Sequence, residues 1–200
     1  MPDALIPPGP ESGPVLAGGA GSGAARVGFV GKLPARGDFV ARGLPRSFAE
    51  PWDAWLSIAL PGSREILGED WLPAWLEAPV WRFALPAGQC GPDAAAGVLL
   101  PSVDRSGRHW PLTLGAVFPG LSAAPVPEAA WLDALEEAGL AAILSDAEPE
   151  QVAEMLAAAP PGWGIGSGMA SWWTAGAPRV APRGFQAGAL PGPAAFAAML

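Results

Sequence analysis

The chain has 200 residues, a formal net charge of -8, ten tryptophans and a single cysteine. That length supports one domain with a sizeable core, and the charge argues against a nucleic-acid or anionic-membrane partner. One cysteine, Cys90, rules out an internal disulfide and fits a reducing compartment. No stretch of about 18 apolar residues occurs, so no membrane insertion is expected.

Residues 1–25 are rich in Pro and Gly and carry almost no periodic apolar pattern, which predicts a disordered arm. The arm does not read as a signal peptide, because a basic n-region is missing and Pro7-Pro8 breaks any apolar core. These features together place the protein in the cytoplasm. Residues 26–200 are expected to form a single domain.

Arg26 to Val30 reads as a short first strand ended by Gly31. A loop punctuated by Pro and Gly follows, to Pro45, and holds Lys32, the only lysine, with Arg36 and Asp38. Ser47 and Glu50 match a capping box, and Phe48, Trp52, Trp55, Leu56, Ala59 and Leu60 follow at helical spacing until Pro61-Gly62 interrupts or ends the helix. A short helix is expected over 70–76 and a strand over 80–85. Residues 95–101 and 110–118 read as a hairpin with a long charged tip, Ser102 to His109. Two helices, 128–144 and 149–158, carry acids opposite their apolar sides. Residues 170–174 read as a strand, with 179–185 a possible partner that Pro182 would demote to an edge. A short helix closes the chain from Pro193. The run of adjacent strands in the middle predicts an α+β fold, a mainly antiparallel sheet with helices packed on it as a three-layer α/β/α sandwich.

Charge is uneven. Residues 26–46 carry five bases against Asp38, whereas 128–154 carry eight acids and no base, which predicts a basic end and an acidic flank, the latter read as an ordinary solvated helix face. Gly28-x-x-Gly31-Lys32 invites a phosphate-loop reading, but the spacing is wrong and Pro34 removes an amide donor. One His and one Cys give no zinc pattern, and Asp38 and Asp104 have arginines nearby that can pair with them in place of a metal. Asp104, Ser102 or Ser106, and His109 make a Ser-His-Asp set on paper, confined to one hairpin tip with nothing behind it to hold the geometry. Cys90 reads as a small apolar filler. In Trp172-Trp173 one ring points into the core and the other away from it. The outward ring is either covered by another segment or sits at an interface.

The stretch from Gly28 to Val40, with Gly43-Leu44-Pro45, Pro79 to Phe83, Gly97 to Arg108, Pro111-Leu112-Thr113 and Ser171 to Thr174, resembles the TagF family, accessory proteins of bacterial type VI secretion. The resemblance spans roughly residues 26 to 200, departing at His109-Trp110 and in the arm. It implies a cytoplasmic regulator with no cofactor and no catalytic residue, a post-translational repressor acting as a brake on a threonine-phosphorylation pathway. The implied partners are a forkhead-associated scaffold protein and a serine/threonine phosphatase of the same pathway, a domain to which some relatives are fused and whose aspartate motifs this chain lacks. The 31–43 loop and the 101–109 tip are expected to meet at one end of the sheet, with Asp38 or Asp104 paired to an arginine of the other loop. Lys32, Pro34, Arg36, Gly37, Asp38, Ser102, Asp104, Arg105, Arg108, Trp172 and Trp173 are the expected partner-binding residues. The alternative is an enzyme or hydrolase taking a small anion at the basic end.

Overall fold

The strands that the sequence presents as apolar runs become the centre of one sheet. In the computed structural model, which describes residues 24–166 and 168–200, seven strands pair in the order β2-β1-β5-β4-β3-β8-β9, every neighbouring pair antiparallel. They are β1 (Arg26–Gly31), β2 (Val40–Arg42), β3 (Trp81–Leu85), β4 (Ala94–Leu100), β5 (Leu112–Phe118), β8 (Ala170–Thr174) and β9 (Arg183–Ala187). A two-stranded ribbon, β6 (Pro125–Pro127) with β7 (Trp163–Ile165), stands apart. Nearly all of the arm expected over 1–25 lies outside the described residues, and Ala25, at its end, already packs on the core.

Helices cover both faces, so β4 and β5 are buried along their whole length. This is why both read as continuous apolar runs and not as alternating ones. On one face lie α1 (Arg46–Leu67), α2 (Trp71–Leu76) and α5 (Pro193–Ala197), on the other α3 (Ala129–Leu144) and α4 (Pro149–Ala157). The result is the α/β/α sandwich of an α+β fold.

The first face is aromatic. Trp52 stacks on Phe48, packs against Phe83 and Trp172, and donates from Nε1 to Thr113 Oγ1 at 2.8 Å. Gly28, Gly115 and Gly97 stand side by side across β1, β5 and β4 on the Thr113 side of the sheet. The first of them lets the chain cross β1 closely, since a Cβ on Gly28 would meet the Arg42 carbonyl at 2.1 Å. The second face is aliphatic, with Leu100, Leu112 and Leu114 under Leu132, Leu135 and Ala142. Gly139 lets α3 approach closely, since a Cβ there would come within 2.9 Å of the Leu100 methyls. Arg82 crosses from β3 to Asp133 and Glu136 of α3 at 2.7 and 2.8 Å.

Three local expectations need correction. The capping box does not form: Pro45 is the N-cap, its carbonyl accepts from Phe48 and Ala49, and Glu50 instead takes the Arg46 guanidinium. Helix α1 does not stop at Pro61 but runs to Leu67. Gly62 there seats the Pro193 ring of α5, so packing between the two helices outweighs one missing N–H. The last strand begins at Arg183, not Arg179, because Ala177 and Val180 close a tight turn and Pro182 has no amide to give the ladder.

Candidate functional site

β1 ends at Gly31, with φ +135°, where a Cβ would strike the Pro111 carbonyl at 2.1 Å. Only glycine allows the chain to turn away that close to the start of β5. The loop that follows meets the tip between β4 and β5. Arg105 N donates to Arg36 O at 3.0 Å, Ser102 Oγ donates to Lys32 O at 2.8 Å, and the Arg108 guanidinium donates to Gly37 O. The tip itself is shaped by the Val103–His109 bridge and by Gly107, whose φ of +79° suits the turn.

Asp104 is the hub. Its side chain is fully buried, and Oδ2 accepts from Lys32 Nζ at 2.7 Å and Arg108 Nε at 2.6 Å. Oδ1 accepts the amides of Ser106 and Arg108 at 2.8 and 2.9 Å. Burial opposes the negative charge, but the Lys32 ammonium, the Arg108 guanidinium and the two amides outweigh it and hold the carboxyl well below the usual carboxylate range. The expected cross-loop pair is therefore made by Asp104, and with a lysine instead of an arginine. Asp38 is exposed and makes no ion pair among the described residues. Arg36 and Arg42 reach α4, to Glu148 and Glu150 at 2.7 and 2.6 Å, so the basic end and the acidic flank touch.

Burial divides the expected contact residues. Ser102, Asp104 and Trp172 are buried and belong to the interior. Trp172 is wholly enclosed in the aromatic face, which corrects its place in a contact surface. Trp173 is half-buried on the opposite face against the aliphatic core. Lys32 is committed to Asp104, while Pro34 and Gly37 are half-buried. Arg36, Asp38, Arg105 and Arg108 remain exposed on a frame fixed from beneath.

The paper triad is not assembled. Ser102 donates to a carbonyl, Asp104 is consumed by Lys32 and Arg108, and the His109 ring meets Trp71 and Trp75 edge-on at 5.5 and 6.2 Å. Burial, and then the Arg64 charge, lower the His109 pKa. Cys90 is enclosed, and burial pushes its thiol up to about 12, as for an unreactive filler. Among the described residues no cluster of His, Cys, Asp and Glu is able to hold a metal ion, and no helix is long and apolar enough to cross a membrane. Sequence reasoning missed Phe39, 44% exposed, whose ring meets Trp110 edge-on at 6.4 Å beside the double loop. It also missed Arg64, which lies past the point where the helix was expected to end.

The motifs that build this end carry a relationship. A family model described as the TagF N-terminal domain, Type VI secretion system-associated, matches residues 28–159. The chain belongs to the TagF family. It is accordingly a type VI secretion-associated protein. Among solved structures, the chain is similar to PA0076 from Pseudomonas aeruginosa PAO1, with 33% identity, a TM-score of 0.78, and coverage of 87% of this chain and 93% of that one. No curated protein matches significantly. The TagF match stops before β8, β9 and α5, yet β8 pairs with β3 and α5 packs on α1, so these elements complete the same sheet and core.

Proposed function

We propose that this TagF-family chain is a non-enzymatic, cytoplasmic regulator that represses type VI secretion after translation by binding a forkhead-associated scaffold protein through the double-loop end. A serine/threonine phosphatase of the same pathway is a further partner under this reading. One observation carries it: the Lys32–Asp104–Arg108 knot, built on a buried carboxylate, fixes the loops and leaves Asp38, Phe39 and Arg105 exposed on a preorganised frame. A small-anion enzyme would need the Lys32 ammonium, which Asp104 already occupies at 2.7 Å.

The test pairs binding with secretion. Asp38→Lys combined with Arg105→Glu should weaken binding to purified scaffold by about tenfold while leaving the melting temperature near wild type. Undiminished binding by the folded double variant removes this surface from the interface. Deleting the gene in its own host should raise effector secretion and overexpression should lower it. Secretion indifferent to both overturns the repressor role.

A further inference from the structure

Beside the double loop, where α1 passes Pro61, an open groove of about 410 Å³ separates the helix from the loop tip. Leu60, Pro61 and Trp110 give it an apolar lining, and Arg64 and Arg108 add charge. We infer that this groove holds a segment of a protein partner in which an acidic side chain stands next to an apolar one. The inference rests on the partner-binding reading above and names the chemistry of a second contact adjoining the exposed loops.

Charge complementarity is the argument. The chain as a whole carries -8, so a groove with two guanidinium groups and no carboxylate in its lining runs against the global sign. The two cations differ in how far they are cancelled: Arg108 shares its one acidic partner, Asp104, with Lys32, and Arg64 pairs with none of the described carboxylates. Arg64 lies over the Trp71 ring at 4.1 Å from its centroid and has no acidic partner among the described residues. Such a seat holds a guanidinium in place while leaving its N–H groups for a carboxylate. Arg108 is fixed by Nε on Asp104 and by Nη2 on the Gly37 carbonyl, and the rest of its fork has no partner among the described residues. The charge of Asp104 itself is shared with Lys32, so it does not neutralise Arg108 alone.

The apolar half of the specificity comes from the same walls. His109 stands edge-on to the stacked Trp71 and Trp75 rings, and burial and the Arg64 charge lower its pKa, which favours the neutral ring and extends the apolar lining. A bare inorganic anion would use the two arginines and leave the spaces against Pro61 and Trp110 unfilled. A neighbouring Leu or Phe side chain fills them and gains the burial term. Such a segment is short, extended and amphipathic, and the arginines select against basic sequences as well as for acidic ones.

The probe is a random-peptide display library panned on the full chain, followed by fluorescence anisotropy with the enriched peptides at low and high salt. The expected result is enrichment of Asp or Glu beside Leu, Phe or Ile, with affinity falling as salt rises. Arg64→Glu should weaken the enriched peptide by at least about tenfold, and replacing the peptide's apolar residue with Gly should cost a similar factor. Arg26→Glu, the same charge change on an exposed residue of β1, should leave binding unaltered and so excludes a general field effect. Selection without an acidic-apolar pairing overturns the inference, as does wild-type binding by a folded Arg64→Glu protein. Scaffold binding by the wild-type chain is measured separately. Its absence sinks the proposed function and not the groove, whereas failed peptide selection beside intact scaffold binding sinks the groove alone.

Discussion

Two sets of ion pairs fasten the basic segment 26–46, and they act in different media. Lys32–Asp104–Arg108 converges on a carboxylate with no solvent exposure, whereas Arg36–Glu148 and Arg42–Glu150 join side chains each about half exposed. The first set meets at a carboxylate that protein encloses and whose remaining acceptor positions amides saturate, so losing Lys32 or Asp104 strands the other's charge in the interior. The second is bathed in water and salt, and water replaces whichever partner is lost. The same residue chemistry shapes the loops in one place and only decorates the surface in the other. A charged motif in a sequence therefore carries structural weight according to what buries it.

Breaking the buried set should have the largest effect. Asp104→Ala leaves Lys32 without its acceptor and two amides unsatisfied, and should cost on the order of 3 kcal/mol or more, read as a lower urea midpoint with unchanged slope. A loss no larger than that of a surface substitution would dissolve the contrast. Acid titration sharpens it. The Asp104 carboxyl is held below its ordinary value of about 3.9 in the folded state, so its contribution is complete above that pH and is lost as pH falls toward the folded value. Below about pH 4 wild type should lose stability more steeply than Asp104→Asn, whose side chain does not titrate. Parallel acid limbs would contradict the arrangement. The smallest effect belongs to Glu148→Gln with Glu150→Gln, where thermal melts should match wild type within error and added salt should erase any residue of difference. A marked drop there would mean that α4 holds the loop more firmly than its exposure implies.

Sequence reasoning reached the layers because periodicity and apolar runs follow directly from burial. β4, β5, α3 and the Trp52 stripe of α1 all declare themselves that way. β2 stayed hidden, since three residues inside a Pro/Gly-punctuated loop become a strand only through pairing with β1. The β6–β7 ribbon stayed hidden for the same reason: its strands are defined by each other and not by pattern. At the site, the meeting of the loops was legible from their charges, but the identity of the hub was not. Asp38 and Asp104 look alike in sequence, the first two residues after Arg36 and the second directly before Arg105. What separates them is that the tip folds back at Gly107 and turns its own amides onto Asp104. The groove was beyond reach because it depends on α1 continuing through Pro61, which the Pro61-Gly62 pair argues against until Pro193 is seen against Gly62.

That contact belongs to a wider pattern at the far end of the chain. Trp55 Nε1 donates to Pro191 O, Trp81 Nε1 to Met199 O, and Arg183 to the Ala198 carbonyl, while Phe196 lies against the Trp55 ring. The tryptophans precede their acceptors by 136 and 118 residues. During synthesis the aromatic face must therefore wait, unsealed, until residues 190–200 leave the ribosome. Such late closure is slow and leaves sticky surface exposed to other chains in the meantime. A nascent chain stalled before Pro191 would be a client for chaperones, however complete its sheet.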